Sequence, residues 1–198
     1  MSDSLSPETA FRRAREDAER AIELDANGPS GYFALAWIQI NRDWNWEGAE
    51  LPLNKAAELQ PGSPSILRFR SFFARSQGRL KEAIGFHEQA ITLDPLFASS
   101  HSYLGLLLYS AGEYEKALAA TQRALDLKPQ KTYDHFTRGE VFLAQGRLEK
   151  SLEEMKPEPG AYWSLTGKAL VYHALGREED SNAAVTQLIN QYQQSMAY

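Results

Sequence analysis

The hydrophobic positions of this chain recur three or four residues apart, in short segments that glycine or proline interrupts. Such spacing places apolar side chains on one face of a helix, and glycine and proline mark where a helix stops. The pattern therefore predicts helices joined in pairs by short turns. Eleven helices are expected, near residues 7–25, 29–42, 46–59, 63–77, 79–92, 97–111, 113–126, 131–145, 147–155, 160–174 and 177–195.

A period of 34 residues runs through the centre of the chain. Proline, glycine and alanine share this step, at Pro61, Pro95 and Pro129, at Gly78, Gly112 and Gly146, and at Ala49, Ala83 and Ala117. Proline cannot continue a helix, and glycine suits a turn that needs a left-handed residue. Alanine allows two helices to approach closely, because added bulk there would force them apart. The period thus predicts a repeated helical hairpin.

The repeat is irregular at its flanks. One extra residue falls in the turn at residues 41–46, and Pro157 and Pro159 shorten the second helix of a later unit. Pro52 lies within the predicted helix 46–59, where it lacks one backbone hydrogen bond and presses on the carbonyl of Gly48, at a cost of about 3 kcal/mol in a straight helix. We expect a kink or a late start there.

The unit resembles the tetratricopeptide repeat. In the clearest copy, residues 99–129, Leu104 and Gly105 form the large and small pair of the first helix, Gly112 marks the turn, Ala117 packs and Pro129 ends the unit. The resemblance implies an all-α fold: a right-handed superhelical solenoid of antiparallel helix pairs with a concave inner face.

We expect one solenoid domain over residues 1–198. Its parts are a half repeat at 7–26, repeats at 29–61, 63–95 and 97–129, a truncated repeat at 131–157 and a terminal helix pair at 160–195. The half repeat is expected to leave the face of Phe11, Ala14, Ala18 and Ala21 without a partner. We interpret the chain as a piece of a larger protein, and its open ends predict a possible homodimer.

The net charge, the cysteine content and the length of the apolar stretches limit which partners and which cellular location we expect. The net charge is −5, which has the wrong sign for direct nucleic-acid binding. The absence of cysteine excludes disulfides and cysteine-ligated zinc. No apolar stretch approaches the roughly 20 residues that span a membrane, and the first residues lack the pattern of a secretion signal. We expect a cytoplasmic protein without a membrane span.

No set of residues suggests catalysis, a metal or a cofactor. The four histidines are scattered, and His101 and His135, one period apart, would lie about one unit's width from each other. Metal sites normally need three or four converging ligands, so we interpret these histidines as structural. The segment at residues 160–168 lacks the glycine spacing and preceding strand of a phosphate loop. No catalytic residue is predicted.

In a solenoid of this family, positions on the first helix of each hairpin that face away from its partner line the concave surface. These positions are predicted to be Phe33, Trp37, Ile40 and Asn41; Arg68, Phe72 and Arg75; Ser102, Leu106 and Tyr109; Tyr133, Phe136 and Glu140; and Trp163 and His173. An aromatic groove with two arginines suits an apolar peptide or helix that docks through a few anchor side chains. The two arginines are more often solvated or locally paired at such sites than bound to a partner.

The leading hypothesis is a non-enzymatic scaffold that binds a protein or peptide partner. The groove lacks the lysine and asparagine with which several similar proteins hold the carboxylate of a chaperone, so that partner is not expected. The turn at residues 43–49 resembles a hairpin of bacterial multidomain regulators, in which such repeats follow a cyclase, kinase or winged-helix domain. The competing hypothesis is a sensor whose superhelix responds to a small molecule or peptide, and an enzyme comes third.

Overall fold

The computed structural model describes residues 6–130, 133–158 and 161–196. Within these ranges every regular element is an α-helix, and the eleven predicted helices are confirmed. Their bounds are α1 Pro7–Leu24, α2 Pro29–Asn41, α3 Trp46–Leu59, α4 Pro64–Ser76, α5 Leu80–Leu93, α6 Ala98–Ser110, α7 Tyr114–Leu127, α8 Asp134–Ala144, α9 Leu148–Met155, α10 Ala161–Ala174 and α11 Glu178–Met196. The starts predicted at residues 131 and 160, and Pro159, lie outside the described residues.

Consecutive helices pack as hairpins, and each hairpin packs on the next. The extensive contacts join α2 with α3, α4 with α5, α6 with α7, α8 with α9 and α10 with α11, while α1 packs on α2. The second helix of each pair then contacts the first helix of the following pair. Among the first helices, α6 also contacts α8 directly and α8 contacts α10. The solenoid architecture expected from the repeat is confirmed.

The turns inside the hairpins explain the periodic glycines. Gly78, Gly112, Gly146 and Gly176 all have φ between 71° and 75°, in the left-handed region that side chains avoid. After Gly112 the chain closes the helix, because the N–H of Glu113 donates to the carbonyl of Leu108 at 2.9 Å. In the first hairpin, which carries the extra residue, Trp44 holds this conformation instead, with a φ of 56°.

Small residues set the distance between paired helices. The alanines at the repeated positions, Ala49, Ala83 and Ala117, are fully buried. On the facing helix, a Cβ atom placed on Gly105 would lie 2.5 Å from Cγ2 of Thr121, closer than side chains tolerate. Alanine and glycine therefore meet across the seam because larger side chains would separate the backbones.

Helix α3 corrects the expectation for Pro52. The helix begins at Trp46, ahead of the proline, and the side chain of Asn45 caps it by accepting a hydrogen bond from the N–H of Gly48 at 2.9 Å. A late start is therefore wrong, and Pro52 lies inside a continuous helix. The cap stabilises the first turn, and Pro52 lies further along, where it removes one backbone hydrogen bond from the helix.

Helix α1 corrects the expectation that its apolar face lacks a partner. Phe11 stacks on Trp37 of α2 with ring centroids 6.2 Å apart, and Ala18 is buried against the same hairpin. Ala14 and Ala21 are exposed.

Among the described residues, no helix is both long and apolar enough to cross a membrane.

Candidate partner-binding groove

The first helices of the hairpins, α2, α4, α6, α8 and α10, carry the predicted groove residues. Most of these side chains are half-buried or exposed, as a binding surface requires. This group comprises Phe33, Trp37, Asn41, Arg68, Phe72, Arg75, Leu106, Tyr109, Tyr133, Glu140, Trp163 and His173. Three predicted positions are instead buried, and they are corrections to the prediction.

Ile40, Phe136 and Ser102 are not surface residues. Ile40 is 2% exposed and packs in the core that α2 and α3 share with α4. Phe136 is 5% exposed, and its ring lies 5.1 Å from that of Trp163. Ser102 is buried and donates a hydrogen bond to Asp134 Oδ2 at 2.9 Å, which ties α6 to α8. Helical spacing alone does not distinguish a groove position from a seam between neighbouring helices.

The N-terminal part of the groove consists of packed aromatic rings. Phe33 meets Phe69 edge to face at 5.3 Å, and Phe72 lies 6.3 Å from Trp46. These rings pack against one another and remain partly exposed. Trp37 is the most open of the predicted aromatic anchors, at 42% exposed. Rigid, partly exposed aromatic side chains are typical anchors for a bound peptide.

The two predicted arginines differ in how they are held. Arg68 is half-buried, pairs with Asp94 at 3.3 Å and lies with its guanidinium 4.5 Å from the ring centroid of Phe97. Asp94 and the ring of Phe97 therefore already interact with the charge of Arg68. Arg75 is exposed, and its guanidinium lies 5.8 Å from the ring centroid of Tyr103. Arg75 is the more available of the two for an acidic group of a partner.

Tyr109, Tyr133 and Glu140 are half-buried residues in the central part of the predicted groove. Burial raises the pKa of Glu140 to about 7. Burial also raises the pKa of Tyr109 and of Tyr133, and the Glu140 carboxylate adds to both shifts. The charge of Glu140 thus acts on tyrosines from two different hairpins. The ring of Trp163 closes one side of this part, 4.6 Å from Tyr133.

Glu158 supports this arrangement and was not singled out from the sequence. Its carboxylate accepts hydrogen bonds from the N–H of Tyr133 at 3.0 Å and of Phe136 at 3.2 Å, at the start of α8. Tyr133 has a φ of 85°, which is strained for a side chain of this size. A buried carboxylate at a helix N-terminus offsets that strain by satisfying free N–H groups. The separation of 25 positions between Tyr133 and Glu158 hides this pairing from local pattern reading.

Three of the histidines have structural partners. His87 Nδ1 lies 3.2 Å from Ser71 Oγ, and burial lowers the pKa of His87 to about 4. His101 Nε2 lies 2.9 Å from the carbonyl of Pro95. His135 Nδ1 lies 3.1 Å from Glu154, which also pairs with Arg138. Within the described ranges, no three potential ligands converge as a metal site.

A separate open cavity of about 590 Å³ lies beside the groove at the N-terminal end. It is lined by Glu8, Phe11, Arg12, Arg15, Arg42, Asp43 and Trp44. Its charged walls are partly paired, Arg15 with Asp43 and Arg12 with Glu16 of the same helix. Trp44 is 75% exposed on its rim.

Comparison with known proteins agrees with this fold. Residues 98–131 match the tetratricopeptide repeat family, at the copy that is clearest in the sequence. No curated protein matches the chain.

Three solved structures superpose over most of this chain. For Pseudomonas aeruginosa pilF, the TM-score is 0.76 at 17% identity, over 92% of this chain and 85% of that one. For PilW, described as a widely conserved type IV pilus biogenesis factor, the TM-score is 0.79 at 19% identity, over 92% and 86%. For YrrB, described as a TPR protein with an unusual peptide-binding site, it is 0.66 at 20% identity, over 89% and 92%.

The fold class predicted from the sequence is confirmed. The described helices form an all-α superhelical solenoid of the tetratricopeptide type, and one unit of it matches the repeat family directly. At these identities the structural likeness extends to the fold alone. Stacked helical repeats of this kind form an extended concave surface.

Proposed function

We propose that this chain is a non-catalytic scaffold that binds a peptide or helix of a protein partner in its concave groove. The observation that carries the proposal is the row of partly exposed aromatic side chains on consecutive first helices, from Trp37 and Phe72 to Tyr109 and Tyr133. Fixed aromatic rings provide contact area without a large loss of side-chain entropy on binding. Arg75 adds a cation for an acidic group of the same partner.

The proposal is tested with a random peptide library displayed on phage and selected against the whole chain. Peptides enriched on the wild-type chain are expected to lose binding when Trp37 and Arg75 are both replaced by alanine. The matched control is Leu96→Ala, which removes an exposed apolar side chain from a turn outside the groove. Retained binding to the groove variant, with its fold intact by circular dichroism, would place the site elsewhere.

A sensor of small molecules is the second candidate, because one cavity favours it. This cavity of about 470 Å³ has mainly apolar walls from α1, α2 and α3, including Tyr32, Leu35 and Leu51. Gln39 also lines it, and its buried Oε1 atom has no hydrogen-bond partner in the described structure. Its size and lining are typical of ligand sites.

Thermal unfolding distinguishes the two candidates. A ligand at about 100 times its dissociation constant adds about 2.7 kcal/mol to the stability of the folded state. A metabolite that raises the melting temperature of the wild-type chain, and not of a Leu35→Phe variant that fills the cavity, would favour the sensor. A shift from groove-binding peptides alone would favour the scaffold.

The proposal also includes the setting and assembly expected from the sequence. The scaffold would work in the bacterial cytoplasm as the interaction module of a regulatory protein, and would pair with a second copy through the ends of the solenoid. Val185 and Ile189 of α11 support such pairing, because they lie one helical turn apart and are exposed. A strictly monomeric mass at high concentration would contradict the dimer.

A further inference from the structure

The second helices of the hairpins share one position that is buried wherever another hairpin follows. It lies four residues after the small side chain that packs in the seam of the hairpin. In α3, α5, α7 and α9 this position is occupied by Leu53, His87, Thr121 and Met155. All four residues are at most 2% exposed.

The first helix of the following hairpin contributes to this burial. The ring of His87 lies 5.0 Å from the ring of Tyr103, which belongs to α6. A Cβ atom placed on Gly167 of α10 would overlap Sδ of Met155, so the Met155 side chain fills the space between α9 and α10. The shared position is therefore part of the interface between successive hairpins.

In α11 the same position is exposed. The register follows from matching hydrogen bonds, because the hydroxyl of Ser181 donates to the carbonyl of Ala169 as the hydroxyl of Ser151 donates to that of Gly139. Four residues after Ser181 lies Val185, which is 40% exposed. This side of α11 thus has the geometry of a junction between hairpins, with its apolar position uncovered.

The uncovered face of α11 is apolar and carries no charge. Ile189 and Tyr192 are also exposed, and their spacing of four and three residues after Val185 places all three on one face of the helix. Residues 181–196 include no aspartate, glutamate, lysine or arginine, although 24% of the whole chain is charged. Charged residues are depleted in the core of protein interfaces. The composition therefore indicates a contact face.

The opposite end of the solenoid does not complement this face. Most exposed positions of α1 are arginine, glutamate or aspartate. Docking of α11 on α1 of another copy would remove these charges from water without pairing them, and it would continue into an open chain of copies. Two α11 faces bring no like charges together, and their contact closes as a dimer. A second copy of the α11 face is thus the better match.

We propose that two copies of the chain pair through their α11 helices about a two-fold axis. The helices would lie antiparallel, with Val185 of one copy against Ile189 of the other. This inference rests on the pairing that the proposed function includes, and it identifies the end of the solenoid and the face that make the contact. The first helices, which carry the groove, take no part in the interface.

Analytical ultracentrifugation up to millimolar concentration tests the interface. The wild-type chain is expected to show a monomer–dimer equilibrium without larger species. Ile189→Asp is expected to raise the dissociation constant at least about tenfold, because pairing would bury a charge without a partner. The matched control is Leu24→Asp, which introduces the same charge at an exposed apolar position of α1 and should leave the dissociation constant unchanged.

Opposite charges at one position test the two-fold symmetry. Ile189→Asp and Ile189→Lys are each expected to be monomeric at concentrations where the wild-type chain pairs. An equal mixture of the two variants is expected to form dimers, because unlike charges then face each other near the axis. Recovered pairing also shows that both variants are folded. A mixture that stays monomeric, with both variants folded by circular dichroism, would overturn the two-fold arrangement.

The remaining outcomes separate this inference from the proposed function. A monomeric wild-type chain, species larger than a dimer, or a dimer that Ile189→Asp leaves intact would overturn the α11 interface. Dissociation by Leu24→Asp alone would transfer the pairing to the other end. A phage-displayed peptide that binds a monomeric wild-type chain but not Ile189→Asp would make a partner helix the occupant. Peptides that lose binding only when Trp37 and Arg75 are replaced would support the groove whatever the mass of the chain.

Discussion

At the scale of single residues, Glu140 links the stability of the chain to pH. Its pKa is about 7 in the folded chain and 4.5 when it is unperturbed. The folded state therefore holds this proton more tightly than the unfolded state, and stability falls as pH rises from 4.5 to 7. Glu140→Gln removes that penalty. We expect it to raise the free energy of unfolding by about 1 to 2 kcal/mol above neutral pH, after allowance for partial solvent screening.

Urea unfolding on both sides of neutral pH measures this effect. The gain from Glu140→Gln is expected to vanish below pH 4.5, where both states are protonated. Glu149→Gln on the exposed face of α9 is the control, and its effect should not follow the same pH window. A gain of the same size at acid and alkaline pH would show that packing, and not ionisation, is responsible.

The seam between α6 and α7 gives a second prediction for single residues. Gly105→Ala places a methyl group 2.5 Å from Cγ2 of Thr121, and we expect a net loss of about 1 to 3 kcal/mol in the free energy of unfolding. Thr121→Ser removes that methyl group and keeps the hydroxyl that donates to Ala117. The double variant is therefore expected to recover part of the loss.

Gly85 provides the matched control for this seam. It lies inside α5, and a Cβ atom there would meet nothing within 4 Å. Gly85→Ala is expected to stabilise the chain by about 0.5 to 1 kcal/mol, because alanine loses less backbone entropy than glycine in a helix. Chemical denaturation of Gly105→Ala, Thr121→Ser, the double variant and Gly85→Ala, each compared with the wild-type chain, measures these changes. A stable Gly105→Ala chain would mean that α6 and α7 can separate without cost.

At the scale of elements, α8 depends on a carboxylate from outside the helix. Glu158→Gln weakens the hydrogen bonds to the N–H groups of Tyr133 and Phe136 and removes a favourable charge at the helix N-terminus. We expect a loss of about 1 to 3 kcal/mol in the free energy of unfolding. Hydrogen exchange should accelerate first at the start of α8. Unchanged protection there would contradict the capping role.

The elements also show what the sequence could and could not reveal. The 34-residue period predicted the number of helices and the turn glycines, because these depend on local backbone rules. The bounds of α3 were also predicted, but a late start caused by Pro52, one of two alternatives, was wrong because capping by Asn45 starts the helix ahead of it. The side chains of Ile40 and Phe136 looked like groove positions, because helical spacing does not show which neighbour covers a face.

Contacts between distant residues account for the remainder of the candidate site. The pairing of Glu158 with the start of α8 joins residues 25 positions apart that flank the hairpin of α8 and α9, and the Glu140 charge acts on Tyr109, 31 positions away on the preceding hairpin. Neither follows from local spacing, because the first depends on how the chain after α9 returns to α8, and the second on how one hairpin packs against the next. The sequence thus indicated which helices carry the groove, while the packing between hairpins decides which side chains reach it.

At the scale of the whole molecule, the extent of contact between successive hairpins differs from one hairpin junction to another. The contact between α3 and α4 is the least extensive of the junctions between successive hairpins in the described chain. Side chains compensate for it there, because Trp46 of α3 lies 6.3 Å from both Phe72 and Phe73 of α4. In a solenoid, stability is the sum of the units and the interfaces between neighbours. The Trp46 cluster therefore adds to the Phe33–Phe69 contact and the shared core of α2, α3 and α4 in coupling the first hairpin to the others.

Trp46→Ala is expected to divide a single unfolding transition into two. Loss of this half-buried tryptophan ring costs about 1.5 to 3 kcal/mol and weakens this junction, so α1, α2 and α3 should unfold at lower denaturant than the remaining helices. Hydrogen exchange at increasing urea, read separately for α2 and α6, measures the two transitions. Tyr162→Ala, which removes an exposed ring from α10, should leave one transition. If α2 and α6 still unfold together in Trp46→Ala, the remaining contacts of α2 and α3 with α4, including Phe33 on Phe69, couple the hairpins without Trp46.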